Sequence, residues 1–329
     1  MFRFIDLFAG IGGIRIPFDE LGGQCVFTSE WDKYAAQTYA MNFGEIPHGD
    51  ITKINPTDIP PHDLLLAGFP CQPFSQAGLK RGFQDTRGTL FFNIAEILNH
   101  HRPKAILLEN VKRLRSHDRG NTLKVILQTL KDLGYTVKYQ VLNAKDFGVP
   151  QNRERIYIVG FRGDTDFKFP LAPKTPIKLG SILEKDADDK FTISDKLWAG
   201  HQRRLKEHKE KGYGFGYCLF NASSPYTSTM SARYYKDGSE ILIEQKGENP
   251  RKLTPREAAR LQGFPENFFI PVSDAQAYKQ FGNSVAVPVI RAVAEKIVPS
   301  LNAMEIKNRK KEKIDIQMLM SRAGIPIAA

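Results

Sequence analysis

The chain has 329 residues, 41% hydrophobic and 25% charged, the balance of an ordinary soluble globular protein with room for a sizeable core and a second, smaller lobe. Its net charge of +11 favours a polyanionic partner, nucleic acid first, without selecting one. Three cysteines, Cys25, Cys71 and Cys218, with no Cys-x-x-Cys or paired histidine, exclude a disulfide framework and a metal cluster and fit a reducing cytoplasm, and no apolar run approaches membrane-spanning length.

The chain opens on Phe4-Ile5-Asp6-Leu7, which reads as a first strand; Arg3 and Asp6 interrupt it too early for a signal peptide. Phe8-Ala9-Gly10-Ile11-Gly12-Gly13 follows, then a helix-like segment from Ile14 to Leu21. A glycine turn after a first strand lets backbone approach a ligand, though the spacing is not the dinucleotide fingerprint. A second strand over Cys25–Ser29 ends at Glu30, Trp31 and Asp32. An acidic residue there suits ribose hydroxyls. A solvated loop carboxylate is the other reading. Trp31 offers a flat face to a purine or sulfonium, or packs in the core. Tyr34–Phe43 reads as a helix, and Asp50 is expected to end a third strand and to hold an adenine amino group.

Leu64-Leu65-Leu66-Ala67, stopped by Gly68-Phe69-Pro70, predicts a short buried strand, the fourth in this count. Pro70 keeps Phe69 extended, so Cys71 leaves the strand on a loop at the carboxyl edge, where α/β sheets bind ligands. Cys71 is then a buried apolar thiol or, if cations lie near, a nucleophile. Residues 78–88, with Lys80, Arg81 and Arg87, read as a lid or as a basic surface loop. A helix over Leu90–His100 and a strand over Ala105–Leu108 lead to Glu109-Asn110-Val111. Glu109 is thereby placed at the same sheet edge as Cys71, as a proton-holding carboxyl or a structural one.

A helix over Asn121–Leu133 and strands over Thr136–Leu142 and Ile156–Phe161 complete the alternation. Arg153 and Arg155, two apart in extended chain, point to one side, as a clamp on a base carbonyl or phosphate or as partners of local carboxylates. From about Pro170 the texture changes. Three prolines form a linker, and His201–Lys211 is a solvated charged helix face. Gly212–Tyr217 and Thr227–Tyr235 suit nucleic-acid contacts or an ordinary small β domain. Thr254 and Pro255 cap and open a helix, and an amphipathic helix follows Val285 to about Leu301, with a basic tail after it.

Taken together, Asp6–Gly13, Glu30–Asp32, Gly49–Ile51, Gly68–Ser75, Asp85–Phe92, Glu109–Val111, Gln151–Tyr157, Leu253–Gly263 and Gln276–Val285 resemble the blocks of the bacterial C5-cytosine-specific DNA methyltransferases, in that family's order. The resemblance implies an α/β fold: a Rossmann-like S-adenosylmethionine-dependent sheet with a smaller β-rich target-recognition domain. Its expected divisions are a catalytic domain over 1–175, target recognition over 176–268, a return of the chain over 269–303 and a basic tail over 304–329. It implies S-adenosyl-L-methionine held by Phe8, Gly10, Gly12, Glu30, Trp31, Asp50, Ile51, Pro70, Leu90, Asn283 and Val285. It further implies Cys71 as nucleophile adding to cytosine C6, Glu109 as its acid partner, and Arg153 with Arg155 on the flipped-out base. Gln72, Ser75, Arg87, Thr229 and Arg233 are the expected contacts to double-stranded DNA, and no metal is expected. The variable stretch looks like the subgroup acting on sites beginning CC, such as CCGG or CC(A/T)GG. A cytoplasmic monomer, sharing its site with a restriction endonuclease, is implied as well. Three alternatives stay open: a tRNA cytosine methyltransferase with the same chemistry, a nicotinamide-dependent dehydrogenase, and a non-catalytic DNA-binding relic.

Overall fold

The computed structural model describes residues 1–70, 90–163, 165–214 and 216–322, with backbone alone from 305 onward. Its frame is a six-stranded sheet. The strands are β1 (Arg3–Leu7), β2 (Gln24–Ser29), β3 (Leu64–Gly68), β4 (Ala105–Val111), β5 (Thr136–Asn143) and β6 (Glu154–Phe161), in the order β2-β1-β3-β4-β6-β5. The first four run parallel, and β6 runs antiparallel to both of its neighbours. β3 and most of β4 are buried on both faces, which is why they read as unbroken apolar runs.

Alternate residues feed two apolar layers. Phe4, Leu64, Leu66 and Leu107 pack with Phe18 of α1 (Arg15–Glu20). On the other face, Ile5, Leu65, Ile106 and Leu108 meet Phe91 and Ile94 of a helix over Leu90–His101 and Ile126 and Leu130 of one over Asn121–Asp132. With α2 (Lys33–Phe43) preceding them, these two are α3 and α4. The remaining helices are α5 (Asp195–Glu210), α6 (Pro255–Leu261), α7 (Asp274–Asn283) and α8 (Val287–Arg322). Val289, Val293 and Ile297 of α8 close the first layer.

Two expectations are corrected. No strand ends at Asp50, because Pro47 lacks the N–H a ladder needs; only His48 N–H reaches across, to the Thr28 carbonyl at 2.9 Å. The second lobe is not β-rich among its described residues. Between 176 and 268 its strands are two residues each, β7 (Leu219–Phe220) and β8 (Leu242–Ile243). Beyond them the backbone pairs at isolated bridges, Thr192 and Ile243 each with Arg251, and turns carry much of the rest. The expected charged helix is present as α5, solvated apart from His201. Thr254 and Glu257 form a full capping box at α6. α8 runs past Leu301, through Pro299, to Arg322.

A third apolar cluster joins the lobes. Met230, Tyr234 and Ile241 pack with Leu261 and Phe281 and reach Ile11 and Ile16 beside the glycine turn. Contact is close enough that a Cβ on Gly282 would stand 2.3 Å from the Ser231 carbonyl oxygen.

Candidate active site

The turn after β1 is built around a carboxylate. Phe8 adopts a left-handed φ of 55°, costly for a bulky residue, and Gly10 follows in the same region. This brings Gly10 N–H to Glu30 Oε2 at 2.8 Å, while Asp32 N–H donates to Oε1 at 2.7 Å. Glu30 is therefore an anchored, buried group rather than a solvated loop acid. Burial pushes its pKa up, and the Asp32 and Gly10 amides oppose that. Each oxygen keeps a lone pair for a ligand hydroxyl. Trp31 is 79% exposed and so is no core residue.

The second group stands on β4. Glu109 pairs in register with Gly68 of β3, and a Cβ there would stand in ordinary contact with its Oε2, at 3.5 Å. Glu109 is buried, and desolvation raises its pKa against the opposing pull of Arg155 and then Arg153. Arg155 lies opposite Val111 in the register, and its Nε stands 3.2 Å from Glu109 Oε1. Asn110 donates from Nδ2 to the Phe69 carbonyl (2.8 Å) and accepts from Val111 N–H (2.8 Å). That tie fixes the loop ending in Pro70 against the end of β4.

Both arginines face the same side, but their fates differ. The Arg153 guanidinium donates to the carbonyls of Met230 (2.9 Å), Gly282 (2.9 Å) and Ser284 (2.5 Å), and it is 2% exposed. Burial and the nearby Arg155 bring its pKa down to about 9, so it stays charged at neutral pH. Its hydrogen bonds thus go to the second lobe and the carboxyl end of α7, while the residue still lines the cavity beside Arg155.

One cavity of about 560 Å³ collects these groups at the carboxyl edge of the sheet. Phe8, Gly10, Glu30, Trp31, Pro70, Leu90, Glu109, Arg153, Arg155, Asn283 and Val285 all line it. Glu30 follows β2 and Glu109 stands on β4, three places apart in the sheet, roughly 14 Å at ordinary strand spacing. The other expected residues lie elsewhere. Gly12 does not line the cavity; it makes room for Phe43, whose ring would stand 2.2 Å from a Cβ at that position. Ile51 is buried in the core layer with Phe27 and Phe69. Asp50 caps its own turn, accepting from Thr52 N–H (3.0 Å) and Oγ1 (2.8 Å), bonds that lower its pKa. Thr229 Oγ1 donates to the Asn152 carbonyl at 2.5 Å, and Arg233 is exposed. Cys71, Gln72, Ser75, Arg87 and the 78–88 stretch lie outside the described residues.

Sequence reading missed part of the wall. Gln276, Lys279, Gln280 and Asn283 share one face of α7 and all line the cavity, yet Asn283 alone was expected. Their helical spacing was visible, but nothing local says which face meets a ligand. The donor set suits S-adenosylmethionine: an anchored carboxylate for hydroxyls, an exposed indole for a flat base, and Lys279 as a cation for a carboxylate. The volume also falls in the range of nucleoside-sized ligands.

Comparison with known proteins follows the geometry. Type II methyltransferase M.NlaX of Neisseria lactamica is 64% identical over 308 residues, covering 92% of this chain and 98% of its own. Type II methyltransferase M.DsaV of Dactylococcopsis salina is 58% identical over 324 residues, covering 97% and 92%. Among solved structures, S. pombe Dnmt2 methyltransferase superposes with a TM-score of 0.76 over 92% of this chain and 100% of that one; at 20% identity this shows the fold alone. The family of C-5 cytosine-specific DNA methylases matches residues 2–299, and the chain belongs to it.

Proposed function

We propose that this enzyme transfers a methyl group from S-adenosylmethionine to C5 of a cytosine flipped out of a specific duplex DNA site, through a covalent bond between Cys71 and C6. One observation carries the reading: a single cavity joins a nucleoside-type wall, Glu30 and Trp31, to a buried acid and cation, Glu109 and Arg155. Pro70, the residue before Cys71, lies on the same wall.

Glu30, Trp31 and Lys279 would hold the cofactor, which supplies an electrophilic methyl group. Cytosine C5 is a poor nucleophile, so the chain must activate it. The Cys71 thiolate adds to C6, and its electron pair moves through the ring toward N3. Glu109, kept protonated to higher pH by burial, delivers its proton to N3. Arg155 donates to O2 and absorbs developing charge. Once C5 is alkylated, a water takes the C5 proton, the ring expels Cys71 as thiolate, and N3 returns its proton to Glu109, leaving neutral 5-methylcytosine. Arg153 holds the second lobe at the cavity. Residues 176–268 are read as the target-recognition lobe, with Thr229 and Arg233 toward DNA, and 269–303 as the return to the catalytic domain. Sites beginning CC, a restriction endonuclease sharing them, and a cytoplasmic monomer complete the reading. Among the described residues, no helix is long and apolar enough to cross a membrane.

The test is transfer of labelled methyl from S-adenosylmethionine to duplex DNA and to tRNA in parallel. Label in DNA is expected; label confined to tRNA overturns the substrate. Duplexes carrying 5-fluorocytosine should trap a denaturation-resistant adduct that Cys71→Ala abolishes while DNA binding persists. Methylation retained by Cys71→Ala removes the covalent step. Bisulfite sequencing of DNA from cells expressing the enzyme reads the site.

A further inference from the structure

β4 carries Glu109 to the cavity, ends at Val111 on the cavity wall, and continues into two short turns, Lys112–Arg115 and His117–Gly120. Lys112, Arg113, Arg115 and Arg119 are all exposed there, against a single carboxylate, Asp118. Lys112 pairs with Glu154 at 2.7 Å. The three arginines make no ion pair among the described residues. Some guanidiniums elsewhere are matched, as in Arg251 with Glu257, Arg260 with Glu266 and Arg291 with Glu20, but what sets the three apart is their clustering on one stretch beside the cavity.

The stretch is also held in place. Leu114 is 1% exposed and sits in the core layer shared with α4. The His117 ring and Thr122 Oγ1 lie 2.7 Å apart. Asp118 and Arg119 both take left-handed φ values, 48° and 54°, before Gly120 at 87°. Two such non-glycine residues in succession are disfavoured and persist only where the surroundings fix them. A fixed loop loses little freedom when it binds, so guanidiniums mounted on it are pre-organised.

We infer that Arg113, Arg115 and Arg119 form a phosphate rim that grips the sugar–phosphate backbone of duplex DNA beside the flipped nucleotide. This rests on the function proposed above. A base reaches the cavity by rotating about its own backbone, so the flanking phosphates must lie across the mouth. The stretch that prolongs the cavity wall meets them there. Guanidinium matches phosphate with paired hydrogen bonds, and such contacts set position and affinity without reading sequence.

The experiment uses the full chain with Arg113→Gln, Arg115→Gln and Arg119→Gln combined. Its control removes the same charge from three exposed residues at the opposite end of the sheet, Arg102→Gln, Lys131→Gln and Arg162→Gln. Binding to a fluorescent duplex without CC sites is measured across a salt series, and thermal melting shows whether each variant folds. At about 0.9 per phosphate contact, the slope of log affinity against log salt should drop by roughly 2–3 in the rim variant, with affinity reduced roughly tenfold or more. The control should keep the wild-type slope, and kcat of the rim variant at saturating DNA should stay within about twofold of wild type. An unchanged slope in the folded rim variant, or an equal drop in the control, overturns the inference. Methyl transfer by the wild type is assayed separately: label in DNA with an unchanged slope sinks the rim alone, and no label in DNA sinks the function it rests on.

Discussion

Beneath the cavity, Leu64, Leu65, Leu66 and Leu107 are wholly buried in apolar clusters, whereas the second lobe is moored by polar groups. Gln151 takes Met230 N–H on Oε1 and donates from Nε2 to the Leu261 carbonyl, and Arg153 reaches three further carbonyls. Arg251 and Glu257 form a doubly bonded pair at 2.7 and 2.8 Å, with Glu257 completely buried. Apolar burial tolerates any side chain of similar size and shape. A buried polar link tolerates only its own partner. The sheet can therefore vary in sequence and still present its edge, while the lobe adds to its apolar cluster a few polar contacts that admit no substitute.

The comparison breaks most sharply at the cavity, where the sheet itself carries a charge. Glu109→Gln keeps the shape but removes the transferable proton, and kcat should fall by about 10²–10⁴-fold. Melting temperature should change little, since relief of a buried carboxyl is offset by the lost counter-charge to Arg155. Turnover close to wild type would show that another group protonates the base.

Next in size is the lobe's ion pair. Glu257→Ala strands the Arg251 guanidinium in the interior and should cost about 3–5 kcal/mol by denaturant unfolding. A loss below about 1 kcal/mol would mean the lobe is held by its apolar cluster after all. Among the sheet's buried polar side chains is Asp6, whose two carboxyl oxygens have no hydrogen-bond partner. Burial raises its pKa from 3.8 to about 8, with Arg15 pulling the other way. The folded state then holds this proton while the unfolded chain has released it, so stability should fall as pH rises from about 4 to about 8. Asp6→Asn should remove that fall, a difference on the order of a few kcal/mol at pH 8, read as melting temperature against pH. Parallel profiles for the two proteins would show that Asp6 is ionised in the fold.

The smallest effects pair one residue from each region. Leu65→Met in the sheet and Thr254→Ala at the α6 cap should each cost about 1 kcal/mol, the first through packing and the second through lost cap hydrogen bonds. A cap loss of several kcal/mol would tie Thr254 to the lobe's polar links, through its 2.7 Å hydrogen bond to Glu184.

Much of this was visible in the residues. The sheet strands, apart from the one expected at Asp50, and the helices between them follow from short apolar runs and their stops. So does the placing of Glu30 and Glu109 at the carboxyl edge. The residues alone leave Trp31 open between core and ligand face; its exposure excludes the core, and it lines the cavity. The expected strand before Asp50 does not form because Pro47 lacks an N–H, a signal local to the sequence. The lobe was misjudged because glycine and aromatic content does not distinguish paired strands from turns tied by side chains.

Local periodicity and turn chemistry determined the sheet, the glycine turn and the acids at its rim, because each depends on neighbours a few residues away. Only the tertiary structure decided that Arg153 braces the lobe while Arg155 serves Glu109. Both side chains reach the same cavity, Arg153 from just before β6 and Arg155 from its second residue. Their partners are chosen by which oxygens arrive within about 3 Å, and for Arg153 those come from residues 77 to 131 positions away, beyond any local pattern.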